Sequence, residues 1–307
     1  MIIPLWIVYS LASAIFFGLK DILAKEYLSK KDGSPKDIIL HEYLLLFFFV
    51  TLAFYPQINF LSFLSLWHLY LLKAVSVGLA TFLYFSLLEK HEISTVSPLI
   101  NLSPLFLLVL SSIFLLESIT SLQLVGIFII ILATYFLEIV NHHHHKKNPH
   151  KHHLINLNKK DYSFFMLIIS LLFVFSFAAI ADKMLLQIVD VYTNMFFTST
   201  IILAAILCNN LKKKNLRKSF ESLNRGHMLL IISFLTIASN FLILFAIAIP
   251  GALVSLIIPL RRTSTLFSSF FGGLLFHEKH LGKKLLAILL MLIGVVLIVW
   301  NSGIILE

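Results

Sequence analysis

The apolar residues of this chain fall into about ten blocks of 18–25, each long enough to cross a hydrocarbon core of roughly 30 Å as a helix. Backbone inside lipid has no water to bond to, so a spanning segment must be helical or part of a closed barrel. Blocks of this length exclude the barrel. Hydrophobic residues make up 59% of the 307 positions and charged residues 13%, against roughly 25% charged in a soluble domain. The sequence therefore predicts an all-α membrane protein. Its ten transmembrane helices are expected near 4–24, 39–58, 66–89, 94–116, 121–140, 162–183, 191–209, 228–249, 252–276 and 285–302. The first block lacks a charged leader and a small-residue cleavage site, and reads as a span and not as a signal peptide.

A net charge of +9 raises the question of nucleic acid, but the position of the charge argues against it. Nineteen of the 24 Lys and Arg lie in the connections after spans one, three, five, seven and nine, and a single one, Lys183, lies on the other side. By the positive-inside rule the odd connections are cytoplasmic and both termini are outside, in a cytoplasmic (inner) membrane. Most connections are very short and leave no room for a soluble domain. Cys208 is the single cysteine and permits no internal disulfide.

Sliding the sequence by 161 residues lays PLINLSPLF (98–106) over PLRRTSTLF (259–267), with five of nine positions identical. The same ungapped shift pairs Phe16 with Phe177, Asp21 with Asp182, Ser94 with Ser255, and Glu117 with Glu278. Each half then holds five spans, an odd number, so the two cross the membrane in opposite orientations, as in the inverted repeats of many secondary transporters. The expected organisation is a first five-helix repeat over 1–140, a His/Lys-rich linker over 141–160, and a second repeat over 161–307.

The segment NLSPLFLLVLSSIFLLESITSLQLVGIFIIILA (101–133) and its second copy, starting at IPLRRTSTLF, resemble the EamA-like branch of the drug/metabolite transporter superfamily. The resemblance runs over the whole chain as two units of five helices. It implies small-molecule transport, often metabolite export, through a central cavity formed by spans one, three, four, six, eight and nine. Members of that family usually have both termini in the cytoplasm, whereas the charge pattern here puts them outside.

Arg261 and Arg262 are the first site candidates, because both fall near the middle of the ninth block. An arginine at the bilayer centre costs about 2.5–3.5 kcal/mol on insertion scales and usually faces protein or a water-filled cavity. Anion recognition by the planar guanidinium fork is one reading. Capping of carbonyls freed near Pro259 is the other. Their counterparts at the 161 shift are Ile100 and Asn101. Asn101, Asn240 beside Ser239, and Tyr84 are further cavity candidates, each with helix–helix packing as the alternative. Lys73 stands two turns into its span, within reach of the membrane surface by snorkelling. Pro98, Pro104 and Pro259 are expected to kink or interrupt spans and so free carbonyls. Asp21 and Asp182 sit beside Lys20 and Lys183 and read as locally neutralised pairs. Glu117 and Glu278 read as turn-forming acids placed before a helix start. No carboxylate buried at mid-depth is evident for proton coupling, so coupling to an ion such as H+ is left open.

The run NHHHHKKNPHKHH (141–153) holds His142, His143, His144 and His145, weak candidates for a metal site on what is expected to be a solvated linker. No cofactor is implied. The motifs HExxH, GxSxG, GxxxxGK[ST] and DDxxD are absent, which argues against an enzyme and against ATP-driven transport by this chain alone. The expected function is alternating-access transport of a small polar or anionic metabolite, export before import, with the substrate and the lipid bilayer as partners and no nucleic acid. Translocation of a lipid-linked or phosphorylated amphiphile, divalent-metal transport, and a non-transporting membrane subunit are the alternatives.

Overall fold

The computed structural model describes residues 4–29, 33–90, 100, 102–145, 159–211, 227–264 and 281–302. Among these there are ten α-helices and no strand. They are α1 (Leu5–Leu28), α2 (Pro35–Phe54), α3 (Ser62–Lys90), α4 (Ser103–Phe114), α5 (Ser121–His145), α6 (Lys159–Leu186), α7 (Val191–Leu211), α8 (His227–Ala248), α9 (Val254–Arg262) and α10 (Leu281–Ser302). A 3-10 turn, Tyr55–Gln57, follows α2. The helices fall one by one on the ten expected spans. Six of them (α1, α2 with its 3-10 turn, and α3, α6, α7 and α8) are long and apolar enough to cross a membrane within the described residues. Large apolar side chains stand exposed on the outside of the bundle, Leu52 at 83% and Leu64 at 76%, as lipid-facing positions require.

Two boundaries bear on the candidate residues. Helix α5 runs to His145, so His142, His143, His144 and His145 belong to its C-terminal end and the connection to α6 starts later. Helix α9 is described only to its cap at Thr263, and the rest of the expected ninth span lies outside the described residues.

Local sequence accounts for the helix starts. Ser34 accepts a hydrogen bond from the Lys36 amide at 3.3 Å, with Pro35 in the first turn, which places α2. Pro104 stands in the first turn of α4, where its missing N–H is no loss. It therefore starts a helix after a break in the expected span, with Ile100 helical before the turn at Leu102, and does not kink α4 from within. Pro259 does lie inside a helix, α9, and leaves the carbonyl one turn back without its helical donor. Pro98 lies outside the described residues.

Helix α1 packs on α8 and α9, and α6 packs on α3 and α4. Helix α2 packs on α7 and α8, α3 on α7, α4 on α9, and α5 on α10. Small residues permit the close approaches. Ser13 Oγ donates to the Ser239 carbonyl at 2.9 Å and Ser239 Oγ donates to the Ser13 carbonyl at 3.0 Å, clasping α1 to α8. At the α5–α10 crossing a Cβ on Gly126 would lie 2.8 Å from the Gly294 carbonyl oxygen, so only glycine fits.

Rings and polar clasps tie the helices together near the α8–α9 turn and the start of α7. Phe54 stacks on Tyr192 with centroids 4.1 Å apart, and Phe241 packs against both at 5.9 and 6.1 Å. The α8–α9 turn uses Gly251 at φ 77°, a value that favours glycine. Lys183 donates to the carbonyls of Ile247 and Ala252 at 2.9 and 2.8 Å on either side of that turn. Glu117 accepts from the amides of Val254 and Ser255 at 2.7 and 3.0 Å and from the Ser255 hydroxyl. The expectation for Glu117 is thereby corrected. It caps α9 across the bundle instead of the helix that follows it, because the α4–α5 turn points its carboxylate at three unsatisfied donors of α9.

Candidate functional site

The short α9 carries Arg261 and Arg262 at its C-terminal end, and consecutive helical residues diverge by about 100°. The two guanidinium groups consequently straddle a central cavity. Arg261 turns toward α1 and α8. Its Nη2 donates to Asn240 Oδ1 at 3.1 Å and to Ser239 Oγ at 3.3 Å, and its plane lies 4.5 Å from the Phe17 ring. Arg261 Nε is buried and has no hydrogen-bond partner. Arg262 turns toward α4 and α6, where Nε and Nη2 donate to Ser103 Oγ at 3.0 and 2.7 Å and Phe175 lies 5.6 Å away.

The cavity encloses about 200 Å³. Lys20, Lys73, Tyr84, Asn240, Arg261 and Arg262 all line it, so five of the sequence candidates, together with Lys20, come from α1, α3, α8 and α9 to one place. Asn101 lies outside the described residues. The helices lining the cavity include α2, through Glu42, Tyr43 and Leu46, and α7, through Met195 and Thr198, in addition to the six expected from the resemblance.

The lysines are neutralised where they stand. Lys20 pairs with Asp21 at 3.1 Å, lies 4.1 Å from the Phe17 ring, and shares Asp21 with the Tyr84 hydroxyl, which donates to Oδ1 at 3.0 Å. Lys73 is 4% exposed and pairs with Asp182, so it does not snorkel to the surface. The pair is closed by Asn194, whose Oδ1 accepts from Lys73 Nζ at 2.9 Å and whose Nδ2 donates to Asp182 Oδ1 at 3.1 Å. Asp182 is thus neutralised by Lys73 on α3, not by its sequence neighbour Lys183, which is spent on backbone carbonyls. The sequence reading failed here because adjacent helical residues face different ways and a partner on another helix was not visible.

The sequence made no carboxylate buried at mid-depth evident, and Glu42 was not among the candidates. It is 6% exposed, lines the cavity, and its Oε1 lies 2.8 Å from the Thr236 hydroxyl of α8. The signal was present in the sequence: His41 and Glu42 interrupt the second apolar block, and an acid inside a span is costly without a role. His142 to His145 lie in the last turns of α5. Among the described residues no group of three or more His, Cys, Asp or Glu is arranged to hold a metal ion.

Residues 4–139 match the family model described as the EamA-like transporter family. No curated protein matches the chain. Among solved structures, a crystal structure described only as that of a protein superposes with a TM-score of 0.64 over 96% of this chain and 99% of its own, at 13% identity. At that identity the likeness is one of fold.

Proposed function

Residues 4–139 match the EamA-like transporter family and six helices are long and apolar enough to cross a membrane, and on that basis we propose that the chain is a multi-pass membrane transporter that carries a small anionic metabolite through the central cavity by alternating access. The observation that carries this reading is the environment of Arg261. Lys20 and Lys73 each face a carboxylate, whereas the partners of Arg261 are the neutral Asn240 and Ser239, and its buried Nε has none. A guanidinium kept out of water with a free in-plane donor has one N–H of its fork ready for a carboxylate or phosphate oxygen. Tyr84, Asn240 and Arg262 orient the solute, and Lys73 holds the wall of the cavity. A volume of about 200 Å³ favours a small solute over a lipid-linked one, since pockets for drug-sized ligands run to roughly 300–1,000 Å³.

The two halves act as inverted five-helix repeats, residues 1–140 and 161–307. Packing supports this: the α1–α8 and α1–α9 pairings reappear as α6–α3 and α6–α4 when each helix number moves by five, while α2–α7, α4–α9 and α5–α10 map onto themselves. The charge bias supports cytoplasmic odd connections and external termini in the cytoplasmic membrane, and the resemblance supports export.

The test is transport by the purified full chain in proteoliposomes, after a thermal-shift screen against small carboxylates and phosphate esters has supplied the solute. Arg261→Gln should reduce transport at least 100-fold while leaving the folded protein intact, and Arg261→Lys should recover only part of it. Transport at the wild-type rate by folded Arg261→Gln refutes the anion site.

A further inference from the structure

Asp21 and Asp182 each meet a lysine, but Glu42 has no cation at ion-pair distance among the described residues. Its polar contact is the Thr236 hydroxyl at 2.8 Å. That hydroxyl also lies 2.9 Å from the carbonyl of Ile232, one turn back on α8. A hydroxyl has one proton to give, so it serves a carboxylate and a carbonyl together only as a shared three-centre bond, weaker to each. Other threonines within the helices show where the proton goes. Thr51, Thr81, Thr198 and Thr200 donate to the carbonyl four residues back, at 2.6–2.8 Å, whereas Thr193, in the first turn of α7, donates to the Asp190 carboxylate. Thr81 is moreover within 3.4 Å of the Tyr43 hydroxyl, a donor able to approach from the cavity side while Thr81 keeps its backbone bond. At Thr236 the place of the phenol is taken by Glu42. One extra proton satisfies every atom in the chain: the Glu42 carboxyl O–H donates to Thr236 Oγ1, which donates to the Ile232 carbonyl.

We infer that Glu42 carries a proton in this conformation and is the proton-binding site of the cavity. The groups facing it from the surrounding helices leave it no alternative counter-charge. Lys20 is held by Asp21 on α1, Lys73 by Asp182 between α3 and α6, and Tyr84 gives its hydroxyl to Asp21. Arg261 and Arg262 on α9 are engaged with Asn240, Ser239 and Ser103. Helix α7 contributes Met195 and Thr198, which carry no charge.

The site is linked to the anion anchor through α8. Thr236, which holds Glu42, and Asn240, which holds Arg261, are four residues apart on one face, about 6 Å along the axis. A solute anion on Arg261 favours the proton on Glu42. Release of that proton to cavity water puts a negative charge beside the anchor, which then competes with the solute. Proton and anion binding therefore reinforce each other, by reciprocal linkage. This linkage rests on the proposed anion site, whereas the protonation of Glu42 does not.

Infrared difference spectroscopy of the full chain in lipid at neutral pH tests the inference. The wild type should show the carbonyl stretch of a protonated carboxyl, and the folded isosteric variant Glu42→Gln should lose it. Thr236→Val, which keeps the carboxyl and removes its partner, should shift the band to higher frequency. A wild type without the band, a band that survives Glu42→Gln, or a band unmoved in Thr236→Val overturns the assignment. Arg261→Gln separates the two proposals, because it should abolish transport and leave the band in place. If transport survives and the band is present, the anion site fails and the proton site stands. The linkage itself fails if transport by Glu42→Gln keeps the pH profile of the wild type.

Discussion

Removing Lys73 should destabilise the protein more than removing Lys73 and Asp182 together. In Lys73→Met the Asp182 carboxylate keeps only the Asn194 amide at 3.1 Å, and Asn194 Oδ1 loses a charged donor at 2.9 Å. The side chains of the pair are 5% and 14% exposed, so water replaces the missing charge only in part. Breaking a buried pair on one side costs about 3–5 kcal/mol, whereas exchanging both members for apolar groups of similar size is often neutral. Lys73→Met should therefore lose about 3–4 kcal/mol, and Lys73→Met/Asp182→Leu about 1 kcal/mol, the residue being the Asn194 amide left short of partners. Equilibrium unfolding of the full chain in mixed micelles, followed by tryptophan fluorescence, measures both. If the double variant loses as much as the two single ones combined, the pair is not the closed unit described above. The same variants decide what Lys73 is for. Stability regained with transport intact assigns it to the cavity wall, and stability regained with transport abolished assigns it to the solute.

Glu117→Ala should cost about 2–3 kcal/mol, because it removes a charged acceptor from three donors at the start of α9, and Glu117→Gln should cost less. Thermal unfolding of the purified variants checks this, and an unchanged midpoint for the alanine variant refutes the cap. Gly126→Val should be poorly tolerated and Gly126→Ala less so, since the first added carbon already meets the Gly294 carbonyl oxygen at 2.8 Å. Yield and monodispersity on gel filtration should fall in that order, and a valine variant that behaves as the wild type removes the tight crossing.

The ten helices were legible because each falls in a predominantly apolar block, and the length of a membrane crossing is fixed by the bilayer. The cavity was partly legible. Arg261, Arg262, Lys73, Asn240 and Tyr84 stand out because polar groups in apolar blocks are expensive, and the structure gathers all five. Which group meets which was not legible. Lys73 to Asp182 spans 109 residues and Glu117 to Ser255 spans 138, separations set by tertiary packing that no local pattern encodes. Nearness in sequence misled at Lys183, whose side chain faces away from its neighbour Asp182 and toward the α8–α9 turn. Glu42 was missed for a different reason. Glu42 lies close to the start of its apolar block, where an acid reads as a helix-end residue, although burying a carboxylate is as costly as burying an ammonium. Pro104 shows that a proline in an apolar run has two meanings, a kink or a first turn, and only the position of the break tells them apart.

The α5–α10 crossing has a mechanical consequence. Where Gly126 and Gly294 meet, backbone rests on backbone with no side chain between, so the seam has no slack to give. On the alternating-access reading, a motion that cannot press this seam closer would swing the remaining helices about it. Displacement then grows with distance from the glycines, as along a lever from its fulcrum. Two missing side chains would thus fix where the molecule does not move, and by subtraction which parts are free to do so.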